Sequence, residues 1–415
     1  MTWQTAARTV KDAIEACSDG GEIILAKKVV PTDATVEITR PITLRGAGLR
    51  EESILAGNGN GSVIKLSHKD AVVRQLTITG GKAPSGAGLY VTASGGLVED
   101  CILSNNTANA GSYAYGGGAY LLGGRLSCSL VAENYATGGG STPGVVLEGS
   151  AKMDRSFVVN HNHKPSNGWG AVQLRGAVTL ENCVVAQNTF LAGVAGVCCK
   201  NSAKIVNCTI ANNRTDNSAD AEVGIQLVAN MNIINTIVAG NVNSMKEANV
   251  DESKISKSSI VNSLLTGDPQ FMDRENDFRL KPSSPAIDAG TSEIDISAFD
   301  VAGNPRKQGD EVDIGAYEMA PVFAVGFTAQ TREGFSGTSF SPTPIIRYLE
   351  GQASFLWTVY SDTETFTSIE KEPTFKLVKP GWYNLSLRVT ADGGDSSAEA
   401  TEVEFFHVAP KVVFF

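Results

Sequence analysis

The chain has 415 residues, a formal net charge of -10 at pH 7 and charged side chains at only 19% of its positions. Since this length exceeds what one hydrophobic core usually organises, we expect at least two domains. The acidic balance argues against a nucleic-acid partner, because phosphate backbones are bound by clustered Lys and Arg. No apolar stretch reaches the roughly 18 residues of a transmembrane helix, which predicts no transmembrane segment.

A short amphipathic helix is predicted near the N-terminus, because apolar residues recur at helical spacing from Ala6 to Cys17. Gly20 and Gly21 follow and favour the end of that helix. We expect residues 1–21 to form a cap on the first unit of a repeat array, since an open end would expose strand edges and apolar surface.

One pattern of about 27 residues recurs six times between residues 86 and 241, which is typical of a stacked solenoid. Each copy opens with a glycine and a short apolar strand. A second strand has Cys, Ser or Thr at its centre, and Asn follows. The opening glycines are Gly88, Gly118, Gly144, Gly170, Gly196 and Gly224. The central residues are Cys101, Cys128, Ser156, Cys183, Cys208 and Thr236. The final asparagines are Asn106, Asn134, Asn160, Asn188, Asn213 and Asn241.

These markers predict a parallel β-solenoid whose coils stack on one another, because no single coil could bury its own apolar face. The central residues are expected to form a ladder of small buried side chains. The asparagines are expected to form a second ladder at a tight turn, since Asn tolerates left-handed backbone geometry. Clear coils extend over residues 86–265. No Cys or His pair has metal-ligand spacing, so no metal site is predicted.

The last third of the chain changes character twice. Residues 266–320 lose the repeat and are rich in Pro, Asp and Gly, which predicts an irregular cap over the C-terminal end of the solenoid. Residues 321–415 show aromatic residues and period-two alternation, which predict a β-sandwich with Trp357 and Tyr383 in its core. The predicted domains are therefore 1–320 and 321–415.

Acidic side chains are frequent in the predicted cap. They are Asp288, Asp295, Asp300, Asp310, Asp313 and Glu318. Such residues in loops usually accept hydrogen bonds from nearby backbone amides. A structural calcium ion is the alternative, and no other cofactor is predicted.

Three segments resemble known families. The coils resemble the right-handed, single-stranded parallel β-helix of pectate-lyase-like proteins and bacterial surface proteins. DPQFMDRENDFRLKPSSPAIDAG at 268–290 and FDVAGNPRKQGDEVDIGAYE at 299–318 resemble the C-terminal signature of choice-of-anchor Q proteins. Residues 321–415, with PGWYNLSLRVT, resemble a PKD or other immunoglobulin-like domain.

The resemblance implies an extracellular or cell-surface location. Residues 1–16 lack the apolar core of a signal peptide, so the protein is either intracellular or has lost an export signal. We favour the second interpretation because of these resemblances. They also leave open that the chain is a piece of a longer surface protein.

One group of charged residues is a candidate for catalysis. Asp154 and Glu181 lie at equivalent positions on adjacent coils, and Arg155 follows the first. Converging carboxylates with a cation suit a polysaccharide lyase or a glycoside hydrolase. The alternative is ordinary charges that pair with one another or with Lys152 or Arg175. The coils contain no repeated acidic or basic motif of such enzymes, which favours a binding function.

A second group is a candidate for ligand binding. The loops at 107–117, 135–143 and 161–169 leave the same edge of successive coils, so they should be neighbours. Their candidate side chains are Tyr113, Tyr115, Tyr135, His161, His163 and Trp169. Aromatic faces beside polar groups suit sugar stacking or protein contacts. The main hypothesis is therefore a carbohydrate- or surface-binding scaffold, with a polysaccharide or cell-surface component as its partner. The alternative is a polysaccharide-degrading enzyme.

Overall fold

In a computed structural model the chain is all-β, with a parallel β-solenoid of about 8 turns and a separate C-terminal antiparallel β region, as predicted. The structure describes residues 7–164, 167–217, 222–227, 231–251, 259–320, 323–347, 349, 351–391 and 397–410. Two compact units are present. One comprises residues 1–269 and 288–318, and the other residues 270–287 and 319–415. Residues 270–287 therefore cluster with the second unit, although the sequence places them in the cap.

Three long parallel sheets form the solenoid. Sheet I contains Glu22–Leu25, Thr43–Gly46, Val72–Arg74, Leu97–Glu99, Arg125–Ser127, Lys152–Asp154, Thr179–Glu181, Lys204–Val206, Asn232–Ile234 and Ser259–Val261. Sheet II contains Val29–Thr32, Ile54–Gly57, Thr77–Thr79, Ile102–Ser104, Leu130–Ala132, Phe157–Val159, Val184–Ala186, Thr209–Ala211 and Ile237–Ala239. Sheet III contains Val36–Ile38, Ile64–Leu66, Leu89–Val91, Ala119–Leu121, Val145–Glu148, Val172–Arg175, Val197–Cys199 and Ile225–Gln226.

Each complete coil passes from sheet I to sheet II through corner I, and then leaves sheet II through corner II. From Gln75 onward one residue at each corner has left-handed backbone geometry, as Asp100 (φ 50°) and Asn105 (φ 54°) show. A loop of variable length then leads to sheet III. Shorter strands pair within these loops, namely Lys82–Ala83, Thr107–Ala108, Tyr135–Ala136, Asn162–His163, Gly168–Trp169, Thr189–Phe190, Gly193–Val194 and Arg214–Thr215.

Corner I carries the predicted ladder of small side chains. The backbone N–H of Cys101 donates to Oγ of Ser129 (3.1 Å), and the N–H of Ser129 donates to Oγ of Ser156 (3.0 Å). The assignment of Cys128 to this ladder is wrong, because Cys128 is the left-handed corner residue (φ 48°) and Ser129 occupies the ladder. The sequence pattern selected Cys128 in place of its neighbour Ser129 because serine and cysteine are both small enough for this position.

Corner II carries the predicted asparagine ladder, with one substitution. Oδ1 of Asn134 accepts from the backbone N–H of Asn106 (3.0 Å), and the pattern continues through Asn188. The assignment of Asn160 is wrong, because Asn160 has φ 58° and His161 holds the ladder position. Oδ1 of Asn188 accepts from both the backbone N–H (3.0 Å) and Nδ1 (2.9 Å) of His161, so the imidazole must carry its proton on Nδ1.

The opening glycines mark the entry to sheet III. A Cβ added to Gly118 would lie 2.5 Å from a methyl group of Val131 and 3.0 Å from Nδ2 of Asn134. This crowding explains why glycine recurs at the slot beside the ladder. Gly170 is displaced by one residue, because Ala171 precedes the paired Val172 in the register of sheet III.

The predicted N-terminal helix is present over Val10–Ala16, where Thr9 caps it by accepting from the backbone N–H of Asp12 (3.1 Å). Val10 is buried, and Ile14 packs against the solenoid core. The described part of the helix therefore covers the apolar end of the first coil.

Residues 288–318, here called the return segment, run back along the side of the solenoid. Nδ2 of Asn262 donates to the backbone carbonyl of Ala289 (2.9 Å), and Asn235 exchanges two hydrogen bonds with the backbone of Thr291 (2.9 Å each). The expected cap over the solenoid end is thus wrong for these residues. The corner asparagines bind them along the side because their amides match a peptide backbone.

A buried polar cluster holds the return segment together. The guanidinium of Arg306 is 1% exposed and donates from Nη2 to the carbonyl oxygens of Asp313 (2.6 Å) and Gly315 (2.8 Å). The Asp300 carboxylate accepts from the backbone N–H groups of Ala302, Asn304 and Glu318. The Glu318 carboxyl accepts from the backbone N–H group of Asp313. Asp300 and Glu318 therefore accept hydrogen bonds from backbone amides, as the sequence predicts for acidic residues in such loops.

The second unit contains a five-stranded sheet in the order Glu333–Phe335, Ser397–Ala409, Gly381–Ala391, Ala353–Tyr360 and Thr365–Ser368. Antiparallel pairs join Ala324–Ala329 to Pro342–Arg347, Ser339–Phe340 to Phe375–Lys376, and Phe271–Asp273 to Asp277–Leu280. Trp357 and Tyr383 are buried in its core, as the sequence predicts.

We expect acid to destabilise the solenoid through its two buried imidazoles. Burial lowers the pKa of His161 and that of His163 to about 4 in the folded protein. The unfolded chain titrates near its ordinary value of about 6.5, so it binds more protons between these values and the free energy of unfolding falls as the pH drops. His161→Asn should remove roughly 2 kcal/mol of the loss between pH 7 and pH 4.5, measured by urea denaturation.

The matched control for that substitution is His68→Asn. Nδ1 of His68 accepts from the backbone N–H of Asp70 in a turn, a role that an asparagine oxygen can fill. This variant should keep the acid sensitivity of the parent protein. An equal acid-induced fall in the free energy of unfolding in the parent protein, His161→Asn and His68→Asn would contradict the ladder role of His161.

We expect rising pH to destabilise the polar cluster through Glu318. Burial and the neighbouring Asp313 carboxylate raise the pKa of Glu318 to about 8. The folded state therefore binds more protons than the unfolded state from about pH 4.5 upward, and stability falls as the pH rises towards 8. Glu318→Gln should abolish roughly 2 kcal/mol of the loss between pH 6 and pH 8, measured by chemical denaturation. The exposed Glu293 supplies the control Glu293→Gln, and an unchanged pH profile in Glu318→Gln would refute the assignment.

Candidate functional site

The structure brings the three candidate catalytic residues together on sheet I. Asp154 and Glu181 are register partners on adjacent strands, which lie about 4.8 Å apart. Arg155 is the left-handed residue of the following corner (φ 44°), and its Nε lies 3.3 Å from the Asp154 carboxylate. The repeat therefore predicts their proximity correctly.

The hydrogen bonds of Asp154 indicate a structural role. Its carboxylate is 4% exposed and accepts from Nε and Nη2 of Arg125 (2.6 Å each) and from Oγ of Ser127 (3.2 Å). Together with Arg155, these donors occupy both carboxylate oxygens. Oδ2 accepts three of these hydrogen bonds and Oδ1 accepts one, which ties the carboxylate to the protein and lowers its availability as a nucleophile or a general base.

Glu181 lies at the edge of a cleft of about 220 Å³ where residues Asp295–Ser297 of the return segment meet sheet I. Its Oε1 accepts from the backbone N–H of Ser297 (2.7 Å). The cleft is lined by Arg125, Lys152, Met153, Asp154, Thr179, Glu181, Asp295, Ile296 and Ser297. Arg125 is the residue that sequence reasoning missed here. Its outward position one coil before Lys152 is the signal that could have found it.

Three of the candidate aromatic residues meet in one group, here called the aromatic platform. The ring centroids of Tyr113 and Trp169 lie 5.3 Å apart, those of Tyr115 and Trp169 6.2 Å, and those of Tyr113 and Tyr115 6.4 Å. The interplanar angles are 28°, 24° and 12°. A single column of three rings would separate the outer two by about twice the inner distance. Similar distances therefore mean that the three rings form a triangular cluster of offset, nearly parallel rings.

Two cations border the platform. Nζ of Lys200 lies 3.8 Å from the centroid of Trp169, and Cζ of Arg175 lies 4.0 Å from that of Tyr115, both within cation–π distance. Arg175 also pairs with Glu148 (3.4 Å). These three charged residues immediately follow equivalent apolar positions of sheet III on successive coils. That equivalence is the signal from which the sequence could have placed Lys200 and Glu148 at the site.

A glycine-rich loop packs directly against the platform. Gly140 has φ +71°, and an added Cβ would lie 2.8 Å from Cε1 of Tyr113 and 3.1 Å from Cζ2 of Trp169. Only glycine therefore allows both rings to pack on this loop. The adjoining cleft of about 340 Å³ is lined by Gly111, Ser112, Tyr113, Gly139, Gly140, Asn167 and Trp169.

The other three candidates lie elsewhere. His161 belongs to the corner II ladder, and His163 is 1% exposed with its ring 4.9 Å from that of Phe190. Neither imidazole reaches the surface, so the structure places both outside any ligand surface. Tyr135 is exposed and pairs with Thr107 along a short strand, and no ring contact joins it to the platform in the described part of the chain.

No protein-family model matches the chain, and no curated protein matches it in sequence. Its class therefore rests on the fold, which is a parallel β-solenoid with a C-terminal antiparallel β region. Within the described residues no helix is long and apolar enough to cross a membrane. The same residues contain no group of three His, Cys, Asp or Glu side chains that could hold a metal ion.

A double-mutant cycle should reveal the structural role of Asp154. Arg125→Ala leaves a buried carboxylate with fewer partners and should lower the free energy of unfolding by about 3 kcal/mol. Asp154→Ala should cost less, because the side chain of Arg125 is 48% exposed and can be rehydrated. The double variant should resemble Asp154→Ala, as measured by urea denaturation. Additive losses of unfolding free energy in the double variant would contradict the pairing of Arg125 with Asp154. Lys152→Ala serves as the control, because Lys152 is exposed.

Proposed function

We propose that the protein is a polysaccharide-binding scaffold whose ligand stacks on the aromatic platform. The observation that carries this proposal is the cluster of the Tyr113, Tyr115 and Trp169 rings beside a cleft of about 340 Å³. Aromatic rings bordered by hydrogen-bonding groups match the two kinds of surface on a sugar, which is apolar at its C–H groups and polar at its hydroxyl groups. Lys200, Arg175 and Glu148 supply those polar groups.

We further propose that this scaffold acts outside the cell or on its surface. The resemblance of residues 268–290 and 299–318 to the choice-of-anchor Q signature, and of residues 321–415 to PKD domains, supports this location. The antiparallel β region then serves as a spacer or adhesion module. Sugar stacking on the platform does not require calcium.

The alternative proposal is a polysaccharide lyase or glycoside hydrolase that uses the sheet I cleft. Its support is the cleft itself, where Glu181 and Lys152 line one space. Of the three carboxylates that line the cleft, Asp154 is held by Arg125 and Ser127, and Glu181 accepts from the backbone N–H of Ser297, so the protein itself engages two of the groups that hydrolysis would use. Binding at the platform is therefore the better supported function.

Removing the largest ring should weaken retention of the protein on immobilised polysaccharide. Trp169→Ala deletes one ring of the platform and should lower the affinity for a retained polymer roughly tenfold, since about 1.4 kcal/mol of stacking corresponds to that factor. The measurement is affinity electrophoresis in gels that contain β-glucan, xylan, mannan or polygalacturonate. Trp382→Ala is the control, because Trp382 is an exposed tryptophan of the second unit. Unchanged retention of Trp169→Ala would overturn the platform as the binding site.

The same polymers distinguish binding from catalysis when they are incubated with the protein, with and without calcium. Growth of unsaturated-product absorbance would indicate a lyase, and new reducing ends alone would indicate a hydrolase. We expect neither product. Turnover that disappears in Glu181→Ala would replace the binding proposal by the enzyme.

A further inference from the structure

We propose that Cys183 and Cys208 form a disulfide bond between two adjacent coils when the protein folds in an oxidising environment. The two residues lie at equivalent positions of the corner I ladder, because the residues that follow them, Val184 and Thr209, are register partners in sheet II. Both cysteines are buried and carry free thiols. Such a bond is independent of the proposed binding function.

The separation and orientation of the two residues suit a disulfide bond. Adjacent coils lie about 4.8 Å apart, and the two Cα atoms of a disulfide are usually about 4.4–6.8 Å apart. The thiol of Cys183 donates to the backbone carbonyl of Glu181 (3.1 Å), and that of Cys208 donates to the equivalent carbonyl of Val206 (3.2 Å). The two side chains therefore point in the same direction, and their thiols contact each other. An approach of less than about 1 Å brings the two Cβ atoms into the usual range.

No other two cysteines lie at equivalent positions of adjacent coils, and all seven cysteines belong to the described part of the chain. The ladder neighbours of Cys101 are a leucine and a serine. Cys198 and Cys199 follow each other in one strand, so their side chains point to opposite faces of sheet III. Cys17 ends the N-terminal helix, and Cys128 lies beside the ladder. The geometry therefore selects one pair.

Formation of the bond needs an oxidant, and we assign this role to a low-molecular-weight disulfide such as oxidised glutathione. The thiolate of one cysteine attacks a sulfur of the oxidant, which releases one thiol and leaves a mixed disulfide on the protein. The thiolate of the other cysteine attacks the protein sulfur of that mixed disulfide and releases the second thiol. The two protons of the protein thiols pass to the two released thiols, so one disulfide replaces another.

The reaction belongs to the period in which the coils are still closing. In the folded chain neither thiol is exposed, and burial together with the neighbouring Cys208 thiol raises the pKa of Cys183. Because the thiolate is the attacking species, the folded protein presents little of it to an oxidant. The loop that the bond closes contains Lys200, so oxidation fastens the coil that supplies one cation to the aromatic platform.

Oxidation of the full chain under two conditions tests this inference. One sample is unfolded in urea with a reductant and then refolded in a mixture of reduced and oxidised glutathione. The other stays folded and is kept for days in the same mixture at a urea concentration below the unfolding transition, where local opening exposes buried thiols. Remaining thiols are alkylated in denaturant, and the peptides are mapped by mass spectrometry.

We expect two of the seven thiols to disappear and one cross-linked peptide pair to contain Cys183 and Cys208. The oxidised protein should have a roughly hundredfold lower equilibrium constant for unfolding than the reduced protein, since the bond constrains the unfolded chain. Urea denaturation of the two forms gives this ratio.

Cys183→Ser is the informative variant, because serine already fills equivalent ladder positions at Ser129 and Ser156. It should retain all of its remaining thiols, whereas the matched control Cys101→Ser should still form the cross-link. Retention of all seven thiols by the parent protein under both conditions, or a cross-link that involves another cysteine, would overturn the proposed bond.

Discussion

Hydrogen bonds between side chains and backbone at the two corners are the interaction on which the solenoid depends. From Gln75 onward each corner turns through one left-handed residue, and at most of these corners the buried backbone N–H group of the next residue donates to a side chain of the following coil. Ser129 does this for Cys101, and Asn134 does it for Asn106. Because an unsatisfied buried N–H group costs about 1–3 kcal/mol, the corners tolerate only side chains that are small or that carry a suitably placed acceptor. His161 is accommodated because it stays neutral and donates from Nδ1.

Rigid corners direct chemical variation to the loops between corner II and sheet III. These loops differ in length from coil to coil, yet they leave from aligned positions, so their side chains meet above the same sheet. Tyr113 and Trp169 belong to loops of different coils, and their rings lie 5.3 Å apart. Gly140, from the loop between them, allows this contact because it has no Cβ. The proposed binding surface is therefore a consequence of stacked coils with unequal loops.

The return segment covers part of the outward face of sheet I. Val206 and Ile234 point outward from sheet I at positions where earlier coils carry Asp154 and Glu181, yet both are buried. The apolar outward positions therefore lie on coils that the return segment covers, beyond the contact of Ser297 with Glu181. Apolar residues at outward positions were thus a signal in the sequence that this side is covered.

The sequence by itself determined the repeat, the stacking of coils and the two ladders, because in-register burial demands similar residues at regular intervals. It misplaced single positions at Ser129, His161 and Ala171, where another residue type fills the slot and only register reveals the match. Tertiary structure alone decided that Arg125 neutralises Asp154 and that three of six candidate side chains form one platform. Those contacts join different coils through loops whose conformations no local pattern encodes, so they exist only once the coils are stacked.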